Sequence, residues 1–192
     1  MKLPSIPVLA ALALGIAIAA ALSLAHRLGA FREVHIEVST VEPLLVLAQE
    51  HLGAYHTTHQ KIVEVENWAK QQGHSCRFSF GEYFDNPELV DEDRLKSRGG
   101  CVLTDEPALK LITELSTKGQ LPQGFRLEQL GERRALVAHF DGSPAIGPWK
   151  VYSKAQEKMA QDGLQQGGAV MEIYEILGPD AMRTRYIFPL AP

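Results

Sequence analysis

The stretch Ala169-Val170-Met171-Glu172-Ile173-Tyr174-Glu175 decides the fold, and segments that contain glycine flank it on both sides. Its composition and flanks predict a short β-strand. Because side chains alternate between the faces of a strand, Met171 and Ile173 are expected to point into a core, and Glu172 and Tyr174 to the other face. A mid-strand carboxylate is costly to desolvate unless an exposed sheet face, a protein donor or a cationic ligand compensates it. The function depends on which of these three surrounds Glu172.

The composition describes one ordinary globular domain with a short additional segment. The chain has 192 residues, of which 45% are hydrophobic, and its formal net charge is -4. This mild acidity argues against nucleic acid as a partner, because nucleic-acid-binding proteins carry a basic patch or stripe. No glycine-rich phosphate loop and no nucleophilic-serine motif is present, so neither of these enzyme classes is indicated.

Two groups of residues invite a metal or disulfide interpretation. His51, His56 and His59 lie close in sequence, but no nearby cysteine or carboxylate completes a compact ligand set, so no metal and no other cofactor is predicted. Cys76 and Cys101 are too few for a disulfide framework or a zinc site. They are predicted to be buried thiols, and a bridge between them requires an oxidising compartment.

The additional segment is at the N-terminus. The segment from Leu3 to Ala25 contains no charged residue. A helix of this length can cross a hydrocarbon core of ~30 Å. A cleaved secretory signal is the alternative, because 23–25 could serve as a cleavage site. The length favours an anchor, so 1–29 is predicted to be a single transmembrane helix and 30–192 a soluble domain. The positive-inside bias favours a cytoplasmic soluble domain, with the periplasmic or extracytoplasmic side as the alternative.

The soluble part shows the order strand, helix, strand, strand twice. The segments are strands at 44–48, 77–84 and 100–103 around a helix at 57–73, then strands at 135–140, 169–175 and 185–188 around a helix that ends at Gly163. This order predicts an α+β fold, a tandem β-α-β-β repeat that places both helices on one face of a mostly antiparallel sheet. In this register Glu82 corresponds to Glu172, and both are expected beside a groove at the pseudo-twofold. The charged segment 91–98 is predicted to be a solvated loop.

Three motifs carry a resemblance to a known family. They are His51-Leu52-Gly53-Ala54-Tyr55, Met171-Glu172-Ile173-Tyr174 and Tyr186-Ile187-Phe188-Pro189-Leu190. In this order and spacing the domain resembles the GyrI-like (gyrase-inhibitor-like) small-molecule-binding family over roughly 34–190. The N-terminal anchor and the segment 83–88 resemble its membrane-anchored subgroup, which includes the testis-expressed ER membrane protein.

The resemblance implies a ligand groove between two pseudo-symmetric halves, with a glutamate at the position of Glu172 as its acidic residue. In several relatives that residue recognises lipophilic cations. Tyr55, Tyr83, Trp149 and Tyr174 are the candidate aromatic walls, because a cation is attracted to an aromatic face. For Trp149, ordinary core packing on the side of its helix that carries Tyr152 and Met159 is the favoured alternative.

The primary expectation is therefore membrane-anchored binding of a small apolar or cationic molecule, with Glu172 supplying charge. Some relatives hydrolyse strained electrophiles, so a second hypothesis makes Glu172 a catalytic base or nucleophile. A third hypothesis is a non-catalytic, membrane-tethered interaction module. The expected partners are a small-molecule ligand and, through the N-terminal helix, a membrane; no particular protein partner is indicated.

Overall fold

The computed structural model describes residues 6–178 and 181–192. The helices in this part of the chain are α1 (Ile6–Leu28), α2 (Thr58–Gln71), α3 (Glu106–Thr117) and α4 (Gly147–Asp162). The strands are β1 (Val34–Val41), β2 (Leu44–Leu52), β3 (Phe78–Tyr83), β4 (Lys96–Leu103), β5 (Phe125–Leu130), β6 (Arg133–Asp141), β7 (Val170–Gly178) and β8 (Ala181–Pro189). Two short 3₁₀ helices cover Tyr55–Thr57 and Glu92–Arg94.

The strands form one antiparallel sheet in the order β1-β6-β8-β7-β3-β4-β2-β5. The predicted α+β class and antiparallel sheet are confirmed. The tandem β-α-β-β repeat stays a prediction: two strands precede each of α2 and α4, and α3 separates the two groups. The stretch that predicted the fold is β7, which lies between β8 and β3 in the middle of the sheet.

Helices α2 and α4 pack on the same face of the sheet. In α2, Ile62, Val65 and Ala69 are buried, as the spacing of three and four residues predicts. In α4, the buried face consists of Gly147, Val151, Ala155 and Met159. The expectation that Trp149 packs in the core is wrong, because its side chain is 85% exposed. It lies two residues after Gly147 and two before Val151, so it points away from the buried side of α4.

The other face of the sheet is buried without any helix. Among the described residues its apolar cluster draws on all eight strands and on no helix, and it includes Val41 of β1 and Leu130 of β5. These two strands are the opposite ends of the sheet. The sheet therefore curls, so that strands from its two ends shield one another. We call this side the inner face, and the side that carries α2 and α4 the helix face.

Glu82 does not lie beside Glu172. In the register of β3 and β7, Glu82 pairs with Met171, and Glu172 pairs with Gly81. Directly paired residues share a face, so Glu82 points to the inner face, where Met171 lies. There Glu82 accepts a 2.5 Å hydrogen bond from Arg98 Nε, and Arg133 lies 3.7 Å away. The expected groove position of Glu82 is wrong, because the predicted register was displaced by one residue and a one-residue slip exchanges faces.

The segment predicted to be a loop at 91–98 is partly a strand. Strand β4 begins at Lys96 and includes Arg98. The side chain of Arg98 is only 13% exposed and forms ion pairs with Glu82 and Glu128. A charged residue is compatible with a strand here because Glu82 on the neighbouring strand β3 and Glu128 on β5 compensate its charge.

Cys76 and Cys101 form a disulfide, so the prediction of two free thiols is wrong. The bond joins the segment before β3 to β4, and the two Cα atoms are 5.6 Å apart. Cys101 is fully buried. The disulfide closes a loop with a sequence separation of 25 residues.

Helix α1 is long and apolar enough to cross a membrane. The segment Pro7–Leu28 has a mean hydropathy of 2.5, and none of it is buried against the domain. Its C-terminal end, in contrast, is joined closely to the domain. Ser143 N donates to the carbonyl of Leu28 at 2.9 Å, and Lys150 Nζ donates to the carbonyls of Ala30 and Arg32.

Candidate functional site

Glu172 is buried on the helix face of β7, with an exposed fraction of 5%. Its directly paired neighbours are Gly81 on β3 and Tyr186 on β8. Gly81 leaves room above the sheet for a neighbouring ring, because a Cβ atom at this position would lie 2.7 Å from the hydroxyl of Tyr83. The small residue therefore lets Tyr83 lean across the strand towards β7.

Tyrosine hydroxyls compensate the buried carboxylate. Tyr152 of α4 donates to Glu172 Oε1 at 2.9 Å, and Tyr174 donates to Oε2 at 3.0 Å. The hydroxyls of Tyr83 and Tyr174 are 3.2 Å apart. Because Tyr174 uses its proton on Glu172, Tyr83 is the donor in this second bond. The result is a chain of hydrogen bonds from Tyr83 through Tyr174 to Glu172. Of the three ways to compensate a mid-strand carboxylate, namely an exposed face, a protein donor or a cationic ligand, the protein donor is therefore present at Glu172.

Burial dominates the electrostatics of this cluster. It raises the pKa of Glu172 to about 7, although the hydrogen bonds from Tyr152 and Tyr174 lower it. Among the described residues, no basic side chain forms an ion pair with Glu172. The pKa values of Tyr83, Tyr152 and Tyr174 are all raised, first by burial and then by the charge of Glu172. The phenols therefore remain protonated donors at neutral pH.

A cavity of about 740 Å³ lies next to this cluster, between α2 and the segment that precedes α4. From α2 it is lined by His59, Ile62 and Glu66, and from the segment before α4 by Pro144 and Ala145. Its sheet side is lined by Ser79, Tyr83, Tyr174, Ile176 and Met182. The volume is in the range of sites that hold small organic ligands.

The structure brings together most of the residues that the sequence singled out. Tyr55, Tyr83 and Tyr174 line the cavity, and the rings of Tyr55 and Tyr83 meet edge to face with centroids 4.8 Å apart. Glu172 lies directly behind Tyr83 and Tyr174 rather than in the cavity wall. Trp149 lies apart from the group, on the exposed side of α4.

Sequence reasoning missed two residues as parts of this site. The sequence puts Tyr152 on the apolar side of its helix but does not pair it with Glu172, although a buried tyrosine hydroxyl usually finds a partner and the strand offers an acid. No sequence motif singles out Glu66. It is a second carboxylate at the cavity, and its Oε1 accepts a hydrogen bond from Ser79. Its position one residue after the buried Val65 was the available signal.

No protein-family model matches the sequence, and no curated protein matches it. Solved structures do share the fold. The C-terminal domain of EcmrR superposes with a TM-score of 0.60 at 11% identity, covering 82% of this chain and 98% of that domain. In the EcmrR–DNA complex the TM-score is again 0.60 at 11% identity; the match covers 90% of this chain and only 63% of the EcmrR chain.

A hydrolase from Listeria innocua matches with a TM-score of 0.50 at 16% identity, covering 81% of this chain and 91% of the hydrolase. These likenesses concern the fold, and they are consistent with the GyrI-like resemblance. The more specific likeness to the membrane-anchored subgroup stays a prediction.

Proposed function

We propose that the protein binds a small cationic or apolar molecule in the cavity between α2 and the segment that precedes α4, and that Glu172 supplies the negative charge. The observation that carries this proposal is a buried carboxylate directly behind the cavity wall, whose hydrogen-bond partners in the described part of the chain are tyrosine hydroxyls. A carboxylate that served only stability would be expected to pair with a cation or to remain in water.

The tyrosines transmit this charge to the cavity. Tyr174 donates to Glu172 and Tyr83 donates to Tyr174, so both phenol oxygens are polarised towards negative charge where they border the cavity. A cation in the cavity would therefore meet electron-rich oxygens and the ring faces of Tyr55 and Tyr83. Contact of a cation with an aromatic face contributes roughly 0.5–2 kcal/mol, and more where water is excluded.

Binding of a cation is expected to depend on pH. In the free protein the pKa of Glu172 is raised to about 7, so below this pH the carboxyl is protonated and neutral. A bound cation favours the ionised form. We therefore expect affinity for a cation to fall as the pH decreases below about 7 and to be constant above it. Isothermal titrations between pH 5 and 9 would measure this, with a neutral ligand as the pH-independent comparison.

The charge requirement can be tested with tetraphenylphosphonium as the cation and triphenylphosphine oxide as the neutral probe. The full chain would be titrated in phosphatidylcholine nanodiscs. Glu172→Gln should weaken tetraphenylphosphonium at least about tenfold, which corresponds to ~1.4 kcal/mol, and affect the neutral probe less. Glu157→Gln, on an exposed part of α4, removes the same charge without touching the cavity. Equal affinity of wild type and Glu172→Gln for the cation would contradict the proposal.

A second candidate function is hydrolysis of an electrophilic small molecule with Glu172 as general base. The observation that favours it is the pKa of about 7, which is close to that of an effective base at neutral pH. Because Glu172 lies behind the cavity wall, Tyr174 would relay the proton: its oxygen would accept a proton from the attacking water while its own proton passes to Glu172. A panel of strained electrophiles should show turnover that Glu172→Gln abolishes. Absence of turnover across the panel, with tetraphenylphosphonium still bound, would leave the binding function alone.

The proposed setting is a membrane surface. Helix α1 is long and apolar enough to act as a transmembrane anchor, and the domain begins directly after it. The disulfide between Cys76 and Cys101 supports a domain on the extracytoplasmic side, because such bonds persist in oxidising compartments. This orientation is opposite to the one favoured by the few flanking basic residues, which constitute a weaker signal.

A further inference from the structure

A second cavity lies on the inner face of the sheet, so the sheet separates it from Glu172. Its volume is about 870 Å³, and its apolar floor is formed by Leu44, Phe78, Val102 and Ile173. Leu44 and Phe78 are partly buried against the apolar cluster of the inner face. Arg32 and Glu33, which directly precede β1, also line it, so the cavity extends to the place where α1 enters the domain.

Three basic side chains form a row along one wall of this cavity. His35 of β1 pairs with His139 of β6, and His139 pairs with Arg185 of β8. Directly paired residues on neighbouring strands share a face, so the row of three crosses three strands on the inner face. All three residues line the cavity.

The other charges that line this cavity largely compensate one another. Arg183 forms a two-point pair with Asp141, with N–O distances of 2.6 and 3.0 Å. Glu175 accepts from Arg77 at 3.0 Å. Arg32 and Glu33 are both exposed.

Arg185 differs from these residues. It is half-buried, and among the described residues no carboxylate forms an ion pair with it. Burial lowers the pKa of its guanidinium, although an arginine remains charged at neutral pH. Burial and the charge of Arg185 also lower the pKa of His139, which Glu37 and Asp141 only partly offset. The wall therefore holds a positive charge that the described part of the chain leaves uncompensated.

We propose that the inner-face cavity is a second ligand site, which binds an amphiphilic anion: a molecule with a carboxylate or phosphate group on an apolar body. The anionic group lies against Arg185 and His139, and the body covers the floor formed by Leu44, Phe78 and Ile173. A guanidinium matches a carboxylate or phosphate with two parallel hydrogen bonds. An inorganic anion would leave the apolar floor uncovered, and a neutral apolar molecule would leave Arg185 uncompensated, so the site calls for both properties in one ligand.

Two sources can supply such a molecule. One is the membrane itself, since the cavity reaches the residues that follow α1. The other is a soluble amphiphile with the same anionic group. Both present the same chemistry to Arg185, and the composition of the lipid in the assay separates them.

The test is saturable binding of radiolabelled octyl phosphate to the full chain in phosphatidylcholine nanodiscs. We expect one site per chain, and at least a tenfold loss of affinity in Arg185→Gln. Arg126→Gln is the matched control, because Arg126 is a strand arginine with a 70% exposed side chain outside the cavity. Arg185→Lys keeps the charge but not the two-point geometry, so it should bind with intermediate affinity.

Competition identifies the source of the ligand. Equal binding of octyl phosphate in nanodiscs with and without phosphatidylserine would support a soluble amphiphile, whereas loss of its binding in nanodiscs with phosphatidylserine would support a membrane lipid. Displacement by inorganic phosphate as effective as by unlabelled octyl phosphate would overturn the proposal, because it would show that the apolar body is not recognised. Displacement by octanol as effective as by unlabelled octyl phosphate would overturn the proposal, because it would show that the charge is not recognised. Unchanged binding in Arg185→Gln would overturn it as well.

A folding defect would not obscure the result. Arg185→Gln removes a half-buried charge without a described counter-ion, so we expect its melting temperature to equal or exceed that of the wild type. As a second, independent variant, Leu44→Trp fills the floor and should abolish binding while Arg185 remains. If Leu44→Trp is folded and binds normally, the cavity is not the site. Tetraphenylphosphonium binding at the helix face should be unaltered in both variants, which separates this proposal from the one for Glu172.

Discussion

At the scale of single residues, Glu172 is defined by its partners. Its two oxygens accept hydrogen bonds from Tyr152 and Tyr174, and neither donor brings a positive charge. A hydrogen bond from a neutral phenol reduces the cost of burying a carboxylate but does not remove it. The raised pKa of about 7 expresses what remains of that cost.

This cost predicts how stability depends on pH. The ordinary pKa of 4.5 applies to Glu172 in the unfolded chain, and the folded value is about 7. Between these values the folded state binds more protons, so the contribution of Glu172 to the free energy of unfolding decreases as the pH rises. The loss is roughly 3 kcal/mol between pH 4.5 and 7, and it is constant above. Urea unfolding of wild type and Glu172→Gln at several pH values would measure the difference.

Other carboxylates titrate in the same range, so the relevant quantity is the difference between the two proteins. Glu172→Gln should be the more stable protein at pH 8, and its advantage should disappear towards pH 4.5. If the free energies of unfolding of wild type and Glu172→Gln changed in parallel with pH, the assigned pKa of Glu172 would be contradicted.

Gly147, the first residue of α4, makes a close approach that tolerates no side chain. A Cβ atom at this position would collide with the hydroxyl of the fully buried Tyr186. We expect Gly147→Ala to lower the free energy of unfolding by about 2 kcal/mol, as overpacking of a core does. Gly131→Ala, which meets open space, should have little effect. In a Tyr186→Phe background the cost of Gly147→Ala should fall, which a double-mutant cycle would measure.

At the scale of helices and strands, the alternation of side chains along a strand decides which of them lie on the same face of the sheet. The alternation of Met171, Glu172 and Ile173 correctly predicted that the acid lies on the opposite face from the two apolar residues. The same reasoning failed for Glu82, because its correspondence with Glu172 rested on counting along the chain rather than on paired strands. A shift of one residue in the pairing of two strands puts a side chain on the opposite face of the sheet. A single sequence does not define the pairing to that accuracy.

The parts of the site that could not be predicted depend on contacts distant in sequence. Tyr152 reaches Glu172 only because α4 crosses β7 at one place, and 20 residues separate them. The same holds for Cys76 and Cys101, whose pairing requires the segment before β3 to lie beside β4. The sequence showed the presence of these residues but not their proximity.

The disulfide joins the segment before β3 to β4, and Cys76 itself lines the cavity on the helix face. Closing a loop of this length is expected to stabilise the domain by about 3 kcal/mol. Replacement of Cys76 and Cys101 together by serine should therefore lower the urea midpoint, and dithiothreitol should lower the wild-type midpoint by a similar amount. Dithiothreitol should not affect the double variant. A wild-type midpoint that reductant leaves unchanged would show that the bond contributes nothing.

At the scale of the whole molecule, the sheet separates two chemically different cavities. The helix face offers tyrosines around a buried acid, and the inner face offers a row of basic side chains above an apolar floor. The curled sheet makes both possible, because it buries its own inner face and leaves its helix face to α2 and the segment before α4, which border the other cavity.

The compartment of the domain can be determined from its cysteines. If the domain lies outside the cytoplasm, Cys76 and Cys101 should be joined in intact cells. Acid quenching followed by a maleimide–polyethylene glycol reagent should produce no mass shift unless a reductant is added first. Two reactive thiols directly after quenching would place the domain in the reducing cytoplasm. The orientation would then be the one that the basic residues flanking α1 favour.

The junction at Lys150 has a mechanical consequence. Its ammonium group donates to the carbonyls of Ala30 and Arg32, and Ser143 N donates to that of Leu28, so these bonds restrain the rotation of α1 relative to the domain. With α1 in a bilayer, these bonds would restrict the distance of the domain from the lipid surface and its orientation. Trp149 and Phe31, exposed beside this junction, would then face the lipid headgroups, and each cavity would keep a constant distance from them.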